Sequence, residues 1–256
     1  MGGIMNYPGR LIKLGETDPA IVAAVVTALA GFGYRLSAAN SGYDASVVAL
    51  VKLFQSQHFD AGGLPLKVDG KVGPMTWGAL FGTVTTNVAT GLAAAALAEA
   101  VTQIGVMEQP PGSNRGPEVD AYLTEAGAAV GSYWCMAFVY WCFKHGALNQ
   151  GIANVFPRTA GCLDAWNRVR TTMPARILTK ARAMADPLLV RPGMVFILDH
   201  GGGLGHTGIV SSVSGGALRT VEGNSNPNGS SNGIGVFELN RRKVTDSELK
   251  GFLDFT

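Results

Sequence analysis

The chain has 256 residues, of which 47% are apolar and only 15% charged, with 35 glycines and a formal net charge of +2. That composition excludes a disordered chain and suits a compact protein rich in tight turns. The weak positive charge would favour an anionic polymer without identifying one. No run of Lys and Arg is interleaved with aromatics, so nucleic-acid binding is not expected.

Reading from the N-terminus, "MGGIMNYPGRLIKLGE" has no apolar stretch behind a basic start and is not read as a secretory signal peptide. Synthesis in the cytoplasm is therefore expected, with release by another agent if the protein acts outside. Asp18 is placed to cap a helix with Pro19 at its first position, and Val22, Val25, Val26 and Leu29 follow at helical spacing. Residues 45–58 repeat the pattern with Val47, Val48, Val51 and Phe54. Turns at Asp69-Gly70 and Gly73-Pro74 lead into a short helix ending near Gly82. Residues 83–91, "TVTTNVATG", have no periodic core pattern and read as a linker.

An Ala-rich helix is expected over 92–105. Four apolar or β-branched runs follow late in the chain: "GMVFILD", "HTGIVSSV", "ALRTVEGN" and "IGVFELN". Helices first and an antiparallel sheet afterwards predict an α+β fold. "NSNPNGSSNG", residues 224–233, reads as a hairpin loop. The most apolar windows are shorter than a bilayer span, so no stable membrane insertion is expected.

Three cysteines, none in a CxxC pair, are too few for a disulfide scaffold. Cys135, in "GSYWCMAFVYWCF", sits where a buried helix should begin. It is either a small packing residue or a nucleophile whose pKa the helix N-terminus lowers. Cys142, two turns further on, would be inert. Cys142 and Cys162 could approach one another, and both are expected as reduced core thiols.

A cysteine nucleophile needs a histidine base from elsewhere in the chain. His58 lies in the N-terminal half, and His145 is about 15 Å along the same helix at 1.5 Å per residue. His200 reads as an exposed loop residue. His206 opens a predicted strand and is the best placed. In the next strand, Glu222 and Asn224 share a face, with Thr220 beside them and Val221 turned to the core, so a carboxylate and an amide can point together. Trp141 and Trp166 read as core, whereas Trp134, beside the cysteine, is excepted. Arg241, Arg242 and Lys243 read as a solvated face.

"YWCMAFVYW", "GHTGIV" and "VEGNSN", in that order, resemble the cysteine- and histidine-dependent amidohydrolase/peptidase (CHAP) domain over roughly residues 92–245. The resemblance implies a papain-like fold acting on peptidoglycan. Cys135 then matches the nucleophile, His206 the general base, Glu222 the residue orienting it and Asn224 a further polar active-site residue. Substrate-side positions are Trp134, Asn114 and Arg115, the last two in "PPGSNRGPEVDAYL", which resembles the segment before the cysteine in a phage and bacterial subgroup. The mechanism implied is acyl transfer through a thioester, without a cofactor. Some relatives carry a calcium loop of alternating aspartates; residues 108–134 lack that alternation, so no metal is expected.

Residues 22–80 resemble the small three-helix peptidoglycan-binding domain of wall hydrolases. The matching positions are Val22, Val25, Leu29, "FGY", Val51, Phe54-Gln55, "DGKVG", "TW" and Leu80. Val26 stands where that family usually has glutamine, and "AGGLPLK" lengthens a loop. The organisation implied is a wall-binding domain over 10–82, a linker over 83–91 and a catalytic domain over 92–256. The protein would be a monomeric peptidoglycan hydrolase, foremost an N-acetylmuramoyl-L-alanine amidase in a phage lysis role, resembling an endolysin and acting on the wall in the periplasm. An endopeptidase, a bacterial wall-targeting effector and a non-catalytic wall-binding protein remain as alternatives.

Overall fold

The computed structural model of the chain describes residues 7–36, 42–61, 63–82, 90–227 and 233–256. Residues 83–89 of the expected linker and 228–232 of the expected hairpin loop lie outside these.

The first part of the chain packs three short helices, α1 (Pro19–Gly31), α2 (Ala45–Gln57) and α3 (Pro74–Phe81). Asp18 and Asp44 cap the first two by accepting from backbone N–H groups of the first turn. Val25, Leu29, Val47, Val51 and Phe54 share one core with Ile12, Val72 and Trp77. Gln55, nearly fully buried, holds the glycine turn that follows. Its Oε1 accepts from Gly70 N–H at 2.8 Å, and its Nε2 donates to the Lys71 carbonyl at 2.8 Å. A buried amide so placed satisfies the polar backbone of a turn that water cannot reach.

The rest of the chain is helical at first and then mainly strand: α4 (Gly91–Thr102), α5 (Pro117–Ala126), α6 (Cys135–Gln150), α7 (Cys162–Thr172), β1 (Ile177–Thr179), α8 (Lys180–Ala185), β2 (Val195–Gly201), β3 (Leu204–Ser214), β4 (Ala217–Ser225), β5 (Gly235–Lys243) and β6 (Leu249–Leu253). Among the described residues the strands form one antiparallel sheet in the order β1-β6-β2-β3-β4-β5. This is the expected α+β arrangement. The sequence reading had not anticipated α5, α7, α8, β1 or β6. Cys162, Ala165, Trp166 and Val169 are the buried stripe of α7, a helical periodicity confined to one short segment.

Both faces of the sheet are covered. Val195, Ile197, Ile209 and Val221 point into a core shared with α4 to α7, while Phe196, Leu198, Val210 and Leu218 point the other way, toward α8 and Val244. The alternation follows from the two-residue period of a strand. Among the described residues no helix is long and apolar enough to cross a membrane.

Helix α6 is buried for most of its length, and α4 crosses it at Gly146. A Cβ there would lie 2.5 Å from the Ala95 backbone carbon, so the helices must part to admit one. Gly146→Ala is therefore expected to destabilise the fold by about 1–3 kcal/mol despite its gain in helix propensity. Denaturant unfolding checks this, and an equal or higher midpoint would mean that the α4–α6 contact has slack.

Candidate active site

Cys135 is the first residue of α6, with Trp134 as its cap residue. The helix ladder starts with the Phe138 N–H bonded to the Trp134 carbonyl at 2.9 Å. The N–H groups of residues 135–137 precede any intrahelical acceptor, and they place positive potential at the sulfur. Strand β4 approaches this end of the helix through Gly223, where a Cβ would fall 2.7 Å from Phe138 and 2.8 Å from the Trp134 ring. Glycine at 223 thus lets the strand carrying Glu222 close on the helix carrying Cys135.

His206, on β3, has no exposed surface. Its Nε2 lies 2.8 Å from Glu222 Oε2. The same carboxylate accepts from Thr220 Oγ1 at 2.6 Å and from Arg242 Nε and Nη2 at 2.9 and 2.7 Å. Gly208 clears the space it needs, since a Cβ there would sit 2.7 Å from Glu222 Cγ. The other ring nitrogen, Nδ1, makes no hydrogen bond of standard geometry among the described residues. It is left for the thiol, and Cys135 and His206 polarise one another. Cys135 Sγ also lies 3.5 Å from Cys162 Sγ, at the first residue of α7.

These contacts set the charges. The hydrogen bond from Cys162 holds the Cys135 thiol well below the ordinary cysteine range; burial opposes it and His206 reinforces it. The Cys162 thiol is correspondingly pushed well up by its bond to Cys135 and by burial. For His206, burial alone would lower the pKa, but Cys135 and Glu222 outweigh it and raise it from 6.5 to about 9. Burial likewise works against the Glu222 carboxylate, yet the hydrogen bonds and charges of His206 and Arg242 lower it from 4.5 to about 2. The arrangement is a buried thiolate–imidazolium pair, with the imidazolium tied to a carboxylate that stays ionised down to about pH 2.

Of the residues singled out from sequence, Cys135, His206 and Glu222 come together, and Thr220 joins them. Val221 turns into the helix-side core as expected. Asn224 is fully buried but bonds to neither His206 nor Glu222: its Oδ1 accepts from Gly233 N–H at 3.1 Å, and its Nδ2 has no partner among the described residues. The β4–β5 pairing is irregular between Glu222 and Ser225, and Asn224 takes a left-handed backbone conformation, so the simple alternation of the strand ends there.

Trp134 is not a substrate-side residue in this arrangement. It has no exposed surface, and its indole donates to Glu108 Oε1 at 2.9 Å. The exposed aromatic next to Cys135 is Tyr133. Asn114 is half-buried, and exposed Arg115 pairs with Asp120 at 2.9 Å while running beside Gly131 in the loop before Cys135. His58 stacks on Phe54, and His145 stacks on Trp141 with Glu125 at 2.9 Å. His200 is partly buried rather than exposed and pairs with Glu248 at 3.1 Å.

The basic cluster is not simply a solvated face. Arg242 is largely buried against Glu222, and Lys243 pairs with Asp60 of the N-terminal region at 2.5 Å. Nothing in "NRRK" alone distinguishes these from surface charges; only the register of β5 against β4 does. Cys162 meets Cys135 rather than Cys142, and all three cysteines are free thiols.

Residues 127–224 match the CHAP domain family model. The match includes Cys135, Cys162, His206, Glu222 and Asn224, and ends before Arg242; it is narrower than the 92–245 stretch of the expected resemblance. A CHAP domain implies a cysteine- and histidine-dependent hydrolase of the peptidoglycan amidase/endopeptidase type. Comparisons with curated proteins and with solved structures give no match.

The charge chain makes stability depend on pH on both sides. Glu222, lowered from 4.5 to about 2, contributes stability that is present above 4.5 and lost as pH falls toward 2. His206, raised from 6.5 to about 9, contributes stability that is full below 6.5 and lost as pH rises through 9. In NMR titration of the imidazole, His206 is expected to lose its proton near pH 9. Glu222→Gln should move that midpoint down, because burial is then opposed by one partner fewer. An unmoved midpoint would uncouple the two side chains.

Proposed function

We propose that the protein is a peptidoglycan hydrolase that cuts an amide bond through a thioester on Cys135. The observation that carries this reading is the imidazole of His206, anchored by Glu222 through Nε2 and left with Nδ1 for a cysteine at a helix N-terminus. The CHAP match over the same residues supports the substrate class.

In this mechanism the Cys135 thiolate attacks the amide carbon. The first-turn N–H groups of α6, that of Cys135 foremost, stabilise the oxyanion. The His206 imidazolium then gives its proton to the leaving amine, and the thioester forms as the C–N bond breaks. Neutral His206 next takes a proton from water, which attacks the thioester and restores the thiolate. Glu222 stabilises the imidazolium and fixes which nitrogen faces the sulfur. Arg242 keeps the carboxylate ionised and in place. Asn224 contributes as a polar boundary of the site, and Asn114 and Arg115 border the substrate path.

Within the class, the reading favoured is an N-acetylmuramoyl-L-alanine amidase with a phage lysis role. The helical region over residues 10–82 would act as its wall-binding domain and residues 92–256 as its catalytic domain. The turn "DGKVG", held by the buried amide of Gln55, supports the first assignment through a fixed loop frame.

The test is mass spectrometry of soluble products from purified sacculi, with Cys135→Ala as the blank. Free stem peptides and peptide-free glycan strands are expected from wild type alone. Cut peptides still attached to sugar would replace the amidase by an endopeptidase, and identical traces on walls of several chemotypes would remove the catalytic reading. The pH profile of kcat/KM should rise as the thiolate–imidazolium pair forms and fall near pH 9 as His206 loses its proton. Arg242→Gln should lower kcat and displace the alkaline limb, whereas a merely structural arginine would reduce the folded fraction and leave the limb in place.

A further inference from the structure

We propose that Cys162 is a redox-modification site, which closes a reversible disulfide onto Cys135 when the protein meets a hydroperoxide or a low-molecular-weight disulfide. The two sulfurs are already 3.5 Å apart, inside van der Waals contact and about 1.5 Å from bonding distance. They are brought together in an unusual way. Cys135 is the first residue of α6 and Cys162 the first residue of α7, so two helix N-termini converge on one pair of sulfurs. Gly205 permits the approach of α7: a Cβ there would sit 3.2 Å from Cys162 Cβ and 2.6 Å from the Leu198 carbonyl oxygen. The same contact sets α7 beside His206, the next residue.

The third cysteine serves as an internal reference. Cys142 is fully buried within α6, with its thiol pushed well above the ordinary range by burial. Cys135 and Cys162 keep small exposed areas, 5% and 6%, enough for a small oxidant and far less than a surface thiol would show. The pair also divides the chemistry. One sulfur is held as thiolate and reacts first; the other stays protonated until its neighbour becomes electrophilic.

The steps balance as follows. The Cys135 thiolate attacks one oxygen of the hydroperoxide, the O–O bond breaks, and the departing alkoxide or hydroxide takes a proton from His206. Cys135 is then a sulfenic acid. Cys162 loses its proton and attacks that sulfur; the S–O bond breaks and hydroxide leaves as water. Two thiols have been oxidised by two electrons, and the hydroperoxide has been reduced to an alcohol or water. With a small disulfide as oxidant, two exchange steps give the same product and two small thiols. A dithiol reductant reverses the bond.

The bond itself depends only on the geometry of the two thiols. Its effect, a hydrolase silenced while oxidised, rests on the reading of Cys135 as nucleophile. The experiment separates the two. The reduced full chain is treated with hydrogen peroxide, quenched with an alkylating agent and mapped by mass spectrometry without reductant, and sacculus hydrolysis is followed in parallel.

The expected result is the loss of two hydrogen atoms, a cross-linked pair of peptides containing Cys135 and Cys162, loss of activity, and its return with a dithiol. Cys142→Ala should behave as wild type. Cys162→Ser should form no cross-link and carry Cys135 to sulfinic acid, which a dithiol does not reverse. Over-oxidation of wild-type Cys135 without a cross-link would overturn the proposal, as would a Cys135–Cys142 link. A Cys135–Cys162 cross-link in a protein that hydrolyses no wall when reduced would sustain the modification site and sink the hydrolase instead.

Discussion

A single buried carboxylate organises the sheet end of the candidate site. Glu222 has no exposed surface, and removing such a charge from water costs several kcal/mol unless partners repay it. Here they come from three strands: His206 on β3, Thr220 beside it on β4, and Arg242 on β5. The carboxylate is therefore a strand-to-strand tie as much as a charge. It also explains two of the glycines nearby, since Gly208 makes room for its side chain and Gly223 lets its strand reach α6.

Much of this was legible in the sequence. Cys135 at the start of an apolar helix, His206 near a strand start and Glu222 in the next strand are positions where local rules alone say which way a side chain can point. What local rules could not deliver was anything that depends on register. "NRRK" has the composition of a surface, yet Arg242 is turned inward because β5 pairs with β4 so as to set it opposite Leu218, within reach of Glu222. Alternation placed Glu222 and Asn224 together until an irregular pairing and a left-handed backbone at Asn224 broke the period. Trp134 was misjudged for a related reason. Adjacency to Cys135 along the chain does not put two side chains on one surface, and at the cap of α6 they diverge, the indole inward to Glu108 and the thiol toward His206.

The helical architecture of the N-terminal region was the easier part, because its caps and its three-to-four residue periodicity are both local. Short elements with a single contact face, such as α7 and β6, went unseen although they complete the second half: α7 delivers Cys162, and β6 joins β1 to β2. For β6, five residues long, identity as an element comes from what it pairs with rather than from its own residues, whereas the i, i+3, i+4, i+7 stripe of α7 was present in the sequence and was missed.

The buried line from Arg242 through Glu222 and His206 to Cys135 alternates in sign: guanidinium, carboxylate, imidazolium, thiolate. Opposite charges in succession cancel one another's field within a short distance, and being out of solvent they are barely screened by mobile ions. The reactivity of the sulfur is thereby insulated from ionic strength. Interactions of the exposed charges are not, because they act across the solvent layer that salt controls. Salt thus acts on the outer charges while leaving the chemistry of the buried line where it stands.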